Sequence, residues 1–414
     1  MASHLLLIMN KQKIEIRRPS PDQLPAFSRA ISIGFGGAGT FLDEQLAHFT
    51  NIVEATYPFA AFDGDQIVGS LAYIDYETVN SKARISTAGI TMVTVSPTHR
   101  RRGILSKMMP AAMAEAVERG HAMASLYASE PAIYGRFGYG VALFRERYKI
   151  SRNRTALAIT SKPAGEMRYK SAKDGISDAR EVFEKVASTR PGWIIRSSNE
   201  WKWLGIDPEW DRNDDSELHT GIYYVNDSPE GYVNYRRTGD GRDNMRIIEL
   251  VGVDRDAELA LWNYCFGIDL VGEIQVGDRP VDDALPWMLQ DTRALERIPQ
   301  DCIWSRILDV PTVLESRAYS ATGDLSIKVI DESGGYAAGT YLLSGSGDGA
   351  TCVPTDKSPE LTMNVAILGS ITFGGTRPSV LGRSGLIDEN AVGSLSKADA
   401  MFVTQKAPWN VVDF

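Results

Sequence analysis

One segment narrows the folds open to this chain more than any other. Residues 85–95 form an apolar, β-branched run that passes through Ser96-Pro97-Thr98-His99 into Arg100-Arg101-Arg102-Gly103. An amphipathic helix follows. Leu105, Met108, Met109, Ala112, Met113 and Ala116 recur at three and four residues, with Lys107, Glu115, Glu118 and Arg119 on the other face. Pro110 removes one backbone bond and predicts a kink, and Gly120 stands where a left-handed residue closes a helix. A strand that opens through a short turn into a helix leaves the first helical N–H groups without partners. Those donors and the positive end of the helix dipole make an anion site. Gly103 lets the backbone approach the anion, the three arginines add charge-assisted bonds, and a pyrophosphate is the natural ligand.

The surrounding residues predict a mixed α/β (α+β) protein. Residues 13–18 alternate polar and apolar as a half-buried strand does, and Pro21-Asp22 opens a helix through Ile31. Strands are expected at 56–62, 67–76, 122–128 and 144–150, with a short helix over 131–137. At 414 residues the chain exceeds one ordinary core. A second section, 151–297, repeats the strand-then-helix order (strands at 221–225, 231–236 and 247–253, a helix over 256–266) without the arginine-glycine turn. It reads as a degenerate copy of the first section, 1–150. The third section, 298–414, alternates strands at 325–330 and 336–343 with Gly/Ser/Asp turns, then shows helical patterns at 365–373 and 394–403. It closes on Trp409-Asn410-Val411-Val412-Asp413-Phe414, too apolar for an exposed tail, so the tail is expected to dock and carry its α-carboxylate into the interior or a cleft.

Charge and composition exclude several classes. With 44 basic and 53 acidic residues the net charge is −9, which disfavours nucleic acid and suits cationic amines. Three scattered cysteines make no disulfide framework, and five histidines show no metal-ligand spacing, so no metal is expected. The apolar run Leu5–Met9 is too short for a signal peptide or a membrane span, which points to the cytoplasm with secretion left open. Gly34-Phe35-Gly36-Gly37-Ala38-Gly39 satisfies the dinucleotide pattern GxGxxG but follows a predicted helix without a βαβ frame, so it is set aside.

The segment from Val93 to Leu105 resembles the acetyl-CoA pyrophosphate loop of the GNAT superfamily, Arg/Gln-x-x-Gly-x-Gly/Ala, with Arg100, Gly103 and Leu105 in its places. Leu105 departs from the small residue usual there. The run Val93-x-Val95-x-Pro97-Thr98-His99-Arg100-Arg101-Arg102-Gly103, with Ala128-Ser129-Glu130 and Ile133-Tyr134-Gly135-Arg136-Phe137-Gly138-Tyr139-Gly140, is similar to the enhanced intracellular survival (Eis) family. So are Val365–Gly375 and the aromatic C-terminus. The resemblance implies two GNAT-like domains in tandem (1–150 catalytic, 151–297 degenerate) and a sterol-carrier-protein-like domain (298–414) ending in the active site. It implies acetyl-CoA as cosubstrate, held by Val93, Thr94, Val95, Arg100, Arg101, Arg102, Gly103, Ile104, Leu105 and Ser106, with Ser129 and Glu130 beside it. Tyr134 would protonate the departing thiolate, and the carboxylate of Phe414 would accept a proton from the amine.

The implied acceptor is a primary amine of a polycationic small molecule such as an aminoglycoside, and the implied assembly a homohexamer. Loop 34–39 lacks the acidic side chains that family members place there. Phe35, Asp43, Glu44 and Asp413 are therefore the candidate substrate contacts. Two other readings are a lysine N-acetyltransferase acting on proteins or peptides, and a lipid or acyl-CoA binding module without catalysis. Retention of both Arg100–Gly103 and Tyr134 weighs against the last.

Overall fold

A computed structural model describes residues 14–159 and 161–414, and the apolar run Leu5–Met9 lies outside them. The chain forms two compact units, one of residues up to Asp75 with Ala88–Gly120, the other of Tyr76–Thr87 with His121–Phe414.

In the first unit the strands Glu15–Arg17, Tyr57–Asp63, Gln66–Val79 and Arg84–Val95 lie side by side in that order, the last two running on beyond the unit. Tyr57–Asp63 and Gln66–Val79 form a hairpin with Asp63 opposite Gln66, and Gly64, at φ +62°, supplies the left-handed residue its two-residue turn requires. Alternate residues of Tyr57–Asp63 are covered on opposite faces. Ala60 and Phe62 pack with Phe27, Ile31 and Val53 from the helices Leu24–Gly34 and Asp43–Glu54. A methyl group on Gly69 would lie 3.0–3.2 Å from Ile104, Ala61 and Met108, which places the helix Ile104–Glu118 close against the other face. Pro110 lies inside that helix, which runs unbroken to Glu118 and closes on Gly120 at φ +83°.

The second unit holds three sheet regions. Ile303–Ile307 lies between Met123–Tyr127 and Gly140–Val141, antiparallel to both. A seven-stranded sheet runs Glu296–Asp301, Phe144–Ser151, Glu273–Arg279, Asn244–Gly252, Ser228–Thr238, His219–Val225, Glu166–Ser171. The helices Ala172–Ala187 and Arg255–Gly267 accompany it, and Trp262, Cys265, Ile247 and Ile274 are buried in its core. A five-stranded sheet runs Gly349–Pro354, Gly339–Ser346, Gly323–Ile330, Leu361–Asn364, Ile387–Glu389.

Two strands pair far from their sequence neighbours. Phe144–Ser151 reads with the first section in sequence, yet it hydrogen-bonds to Glu273–Arg279 and Glu296–Asp301. Ile303–Ile307 is the opposite case, a late strand inserted beside early ones. Alternation in sequence shows which side of a strand is buried but carries no record of its partner. The strand expected over 336–343 begins only at Gly339, because Gly334 and Gly335, at φ +155° and +76°, hold the preceding chain in a loop.

The helix Val365–Ile371 seats directly on the inserted strand. A methyl group on Gly140 would lie 1.8 Å from the Ala366 carbonyl oxygen, and one on Gly369 would lie 2.4 Å from that of Ser305. Both obstacles are backbone, so Gly140→Ala is expected to destabilise by about 1–3 kcal/mol through overpacking. A denaturation midpoint equal to that of the parent protein would show that the helix can retreat. Arg317, fully buried, donates to the carbonyls of Thr372 (2.6 Å) and Phe402 (2.7 Å). These close the helices Val365–Ile371 and Ser394–Phe402, whose negative dipole ends offset its charge.

Candidate active site

In the first unit, the residues from Val93 to Ser106 form one continuous feature. Met92, inside the strand, takes φ +55°, an uncommon conformation for a long side chain, and bends the strand just before Val93. Ser70 Oγ donates to the Met92 carbonyl at 2.8 Å and lies 2.7 Å from Thr94 Oγ1, fixing the bend from the neighbouring strand. A methyl group on Gly34 would lie 2.3 Å from Thr94, so the first helix also ends against this strand.

The turn Pro97–His99 is pinned by His99. Its Nε2 lies 3.0 Å from the Asp63 carboxylate and its Nδ1 2.8 Å from Thr98 Oγ1. Arg100 reaches back to the carbonyls of Val95 and Gly34, both at 3.4 Å. Arg101 (φ +60°) and Gly103 (φ +73°) reverse the chain, and Gly103 is the N-cap of Ile104–Glu118. Arg101, Arg102, Gly103 and Ser106 are exposed, and nothing lies within 4 Å of a methyl group placed on Gly103. An open left-handed glycine, exposed guanidinium groups and unpaired first-turn N–H groups fit a pyrophosphate.

The glycine-rich loop follows the helix Leu24–Gly34 instead of a strand, which excludes the dinucleotide fingerprint. Phe35 is 60% exposed. Asp43 and Glu44 are exposed in the first turn of Asp43–Glu54, where they face the positive end of that helix.

The second unit carries Ser129, Glu130 and Tyr134 together. Glu130 is the N-cap of the single turn Pro131–Tyr134, and Tyr134 itself is buried. Burial, with the Glu130 charge adding to it, raises the Tyr134 phenol above its ordinary value, while a hydrogen bond with the Ser129 side chain opposes the shift. Tyr134 therefore stays protonated at neutral pH. Its ring meets the edge of Tyr139 at 6.2 Å. The turn Gly135–Phe137 is fixed by buried Arg306, which donates to the Phe137 carbonyl at 2.7 Å and to that of Ser333 at 3.1 Å.

The C-terminal segment is docked. Trp409, Asn410, Val411 and Val412 are buried, Phe414 is half-buried and Asp413 exposed. Trp409 donates from its backbone N–H to Pro191 (3.0 Å) and from Nε1 to the Asp278 carbonyl (3.1 Å). The Phe414 ring lies 5.1 Å from that of Tyr76 and 5.4 Å from that of Tyr127. Met92, His99, Tyr76 and Tyr127 escape a reading of the sequence. Only His99, inside the basic turn, stands close enough to a motif to have been found there.

Residues 15–142 and 192–307 each match an acetyltransferase (GNAT) domain, and 310–411 match a sterol carrier protein domain. An uncharacterized N-acetyltransferase of Streptomyces griseus is 33% identical over 413 residues, 96% of this chain and 98% of that one. N-acetyltransferase Eis of Mycobacterium tuberculosis is 33% identical over 354 residues, 82% of this chain and 84% of its own length. The chain belongs to the Eis family of N-acetyltransferases. The crystal structure of Eis1 from Mycobacterium abscessus superposes with a TM-score of 0.84 at 27% identity, over 97% of this chain and all of that one. This Eis-family protein is thus an N-acetyltransferase that uses acetyl-CoA, with two tandem GNAT domains and a sterol-carrier-like domain in a mixed α/β architecture. Among its described residues no helix is long and apolar enough to cross a membrane.

Proposed function

We propose that this enzyme acetylates primary amines of polycationic small molecules, aminoglycosides among them. In this reading Arg100–Ser106 hold the pyrophosphate of acetyl-CoA and Val93–Val95 hold its pantetheine arm. Tyr134 gives its proton to the departing thiolate, and the carboxylate of Phe414 takes one from the amine. A phenol kept protonated by burial is suited to the first role. A terminal carboxylate, with a reference pKa of about 3.3–3.7, suits the second only when desolvated or when relaying through water. The chemistry falls to the first GNAT domain and the end of the third, and the proposed division of the chain is 1–150, 151–297 and 298–414.

The observation that carries the choice of acceptor is the placement of exposed carboxylates. Glu130 stands beside Tyr134, and Asp413 immediately precedes Phe414. A substrate with several ammonium groups can pair one with each while another reacts. Loop 34–39 carries the exposed Phe35 and no acid, so further acidic contacts are expected from Asp43 and Glu44.

The test is release of coenzyme A thiol from acetyl-CoA against aminoglycosides, simple polyamines and lysine peptides. The expected result is release with the polycationic small molecules. Release with the lysine peptides alone would replace this reading with protein acetylation. Binding of fatty ligands with no thiol release from any amine would replace it with lipid carriage.

A further inference from the structure

Tyr127 is the last residue of the strand Met123–Tyr127, two residues before Ser129 and seven before Tyr134. A phenol hydroxyl has one proton to donate and two lone pairs to accept with. Tyr127 uses all three. It donates to the Val412 carbonyl at 3.0 Å and accepts from Asn410 Nδ2 at 3.0 Å and from the Cys302 thiol at 3.6 Å. Burial holds the phenol well above its ordinary pKa, so the donated proton is present throughout the working pH range.

Asn410 completes the arrangement. Its Oδ1 accepts from the Ile194 backbone N–H at 3.1 Å, and its Nδ2 donates to the Val412 carbonyl at 2.7 Å as well as to Tyr127. The Val412 carbonyl thus receives two donors. Beyond it, the Phe414 ring is caught between the rings of Tyr127 and Tyr76. Tyr76 is itself fixed by a 2.6 Å hydrogen bond to Glu200, whose other oxygen caps the helix Ser198–Ile206 through the Ser197 N–H at 2.7 Å. Terminal residues fray unless tied down. Here the tie is graded: Trp409 anchors, Asn410 and Tyr127 set the direction of the backbone, and the two tyrosine rings fix the last side chain.

We propose that Tyr127 is a positioning residue, holding the last residues of the chain, and with them the Phe414 carboxylate, in the orientation that proton acceptance requires. The proposal rests on the reading of Phe414 as proton acceptor. Cys302 belongs to the same arrangement as a donor to the phenol. Burial pushes its own thiol up to about 12, so it is not a nucleophile.

The experiment compares Tyr127→Phe, deletion of Phe414, and the two combined as a double variant. Two readouts are used: hydrogen exchange of the C-terminal peptide spanning residues 409–414, and steady-state acetyl transfer from acetyl-CoA to neomycin, spermine and a lysine peptide. Tyr127→Phe keeps the ring that packs on Phe414 and removes only the hydroxyl. The expected result is faster exchange in that peptide and a kcat lower by about 10- to 100-fold, with the KM for acetyl-CoA unchanged. The double variant should be no slower than the Phe414 deletion alone, because both act through one group. Unchanged exchange in Tyr127→Phe, or faster exchange with a parental kcat where deletion of Phe414 abolishes turnover, would overturn the proposal. A Phe414 deletion with parental kcat would instead remove the proton-acceptor reading on which the proposal rests.

Discussion

Tyr134→Phe is expected to lower kcat for acetyl transfer by about 100-fold or more, the range seen when a positioned general acid is lost. The affinity for acetyl-CoA should not change. A coenzyme A thiolate departing without a proton is a poorer leaving group than the thiol, and phenylalanine fills the same buried space without supplying one. The acetyl-CoA contacts assigned above lie on other residues, so the loss should fall on kcat and on kcat/KM alike. Glu130 and Ser129 pull the Tyr134 phenol in opposite directions. Ser129→Ala removes the hydrogen bond that opposes the upward shift, and should move the alkaline limb of the pH–rate profile further up. Single-turnover thiol release, with acetyl-CoA binding followed by titration, separates the two parameters. Parental kcat in Tyr134→Phe would remove this residue from the mechanism.

The largest expected loss of stability is in Glu249→Ala. Arg196 and Glu249 form a wholly buried ion pair, with Arg196 Nη2 2.5 Å from Glu249 Oε1, and the Tyr232 hydroxyl donates to Oε2 at 2.7 Å. Arg196 also lies over the rings of Trp201 and Phe183, at 4.5 and 5.1 Å. Removing the carboxylate takes the hydrogen-bonded counter-charge from a buried guanidinium and leaves only the weaker pull of Glu200, which costs about 3–5 kcal/mol. Replacing both partners, as Arg196→Met with Glu249→Leu, removes the stranded charge and should recover most of that loss. A urea midpoint unchanged in the single variant, or a double variant no better than the single one, would show that the charge is accommodated another way.

Local features were the legible part of this fold. The basic turn between Val95 and Ile104, the closing Gly120 and the short turn carrying Tyr134 have signatures within a few residues, and the apolar tail from Trp409 to Val412 marks itself as buried although its partners Pro191 and Asp278 lie far off in the chain. They stand where the sequence places them. The helices Ala172–Ala187 and Ser198–Ile206 are not among the sequence expectations, although Ser171 and Ser197 cap them by accepting from the N–H groups of Asp174 and Glu200. The strained Met92 was hidden for a physical reason: a left-handed methionine has no sequence signature, and its support comes from Ser70 on another strand. His99 with Asp63, and Tyr127 with Asn410, are pairs 36 and 283 residues apart, a separation across which periodicity says nothing.

The placement of Ile303–Ile307 has a consequence for how this enzyme is made and inherited. Met123–Tyr127 and Gly140–Val141 flank the segment that bears Tyr134, and neither has this strand beside it until residue 303 has emerged from the ribosome. The nascent chain must carry an open sheet edge through the synthesis of the whole middle section, the interval in which chaperone protection matters most. A gene fragment ending after the first acetyltransferase domain encodes a sheet with a missing member. Duplication or recombination that passes this domain on with its sheet intact must therefore carry residues 303–307 with it.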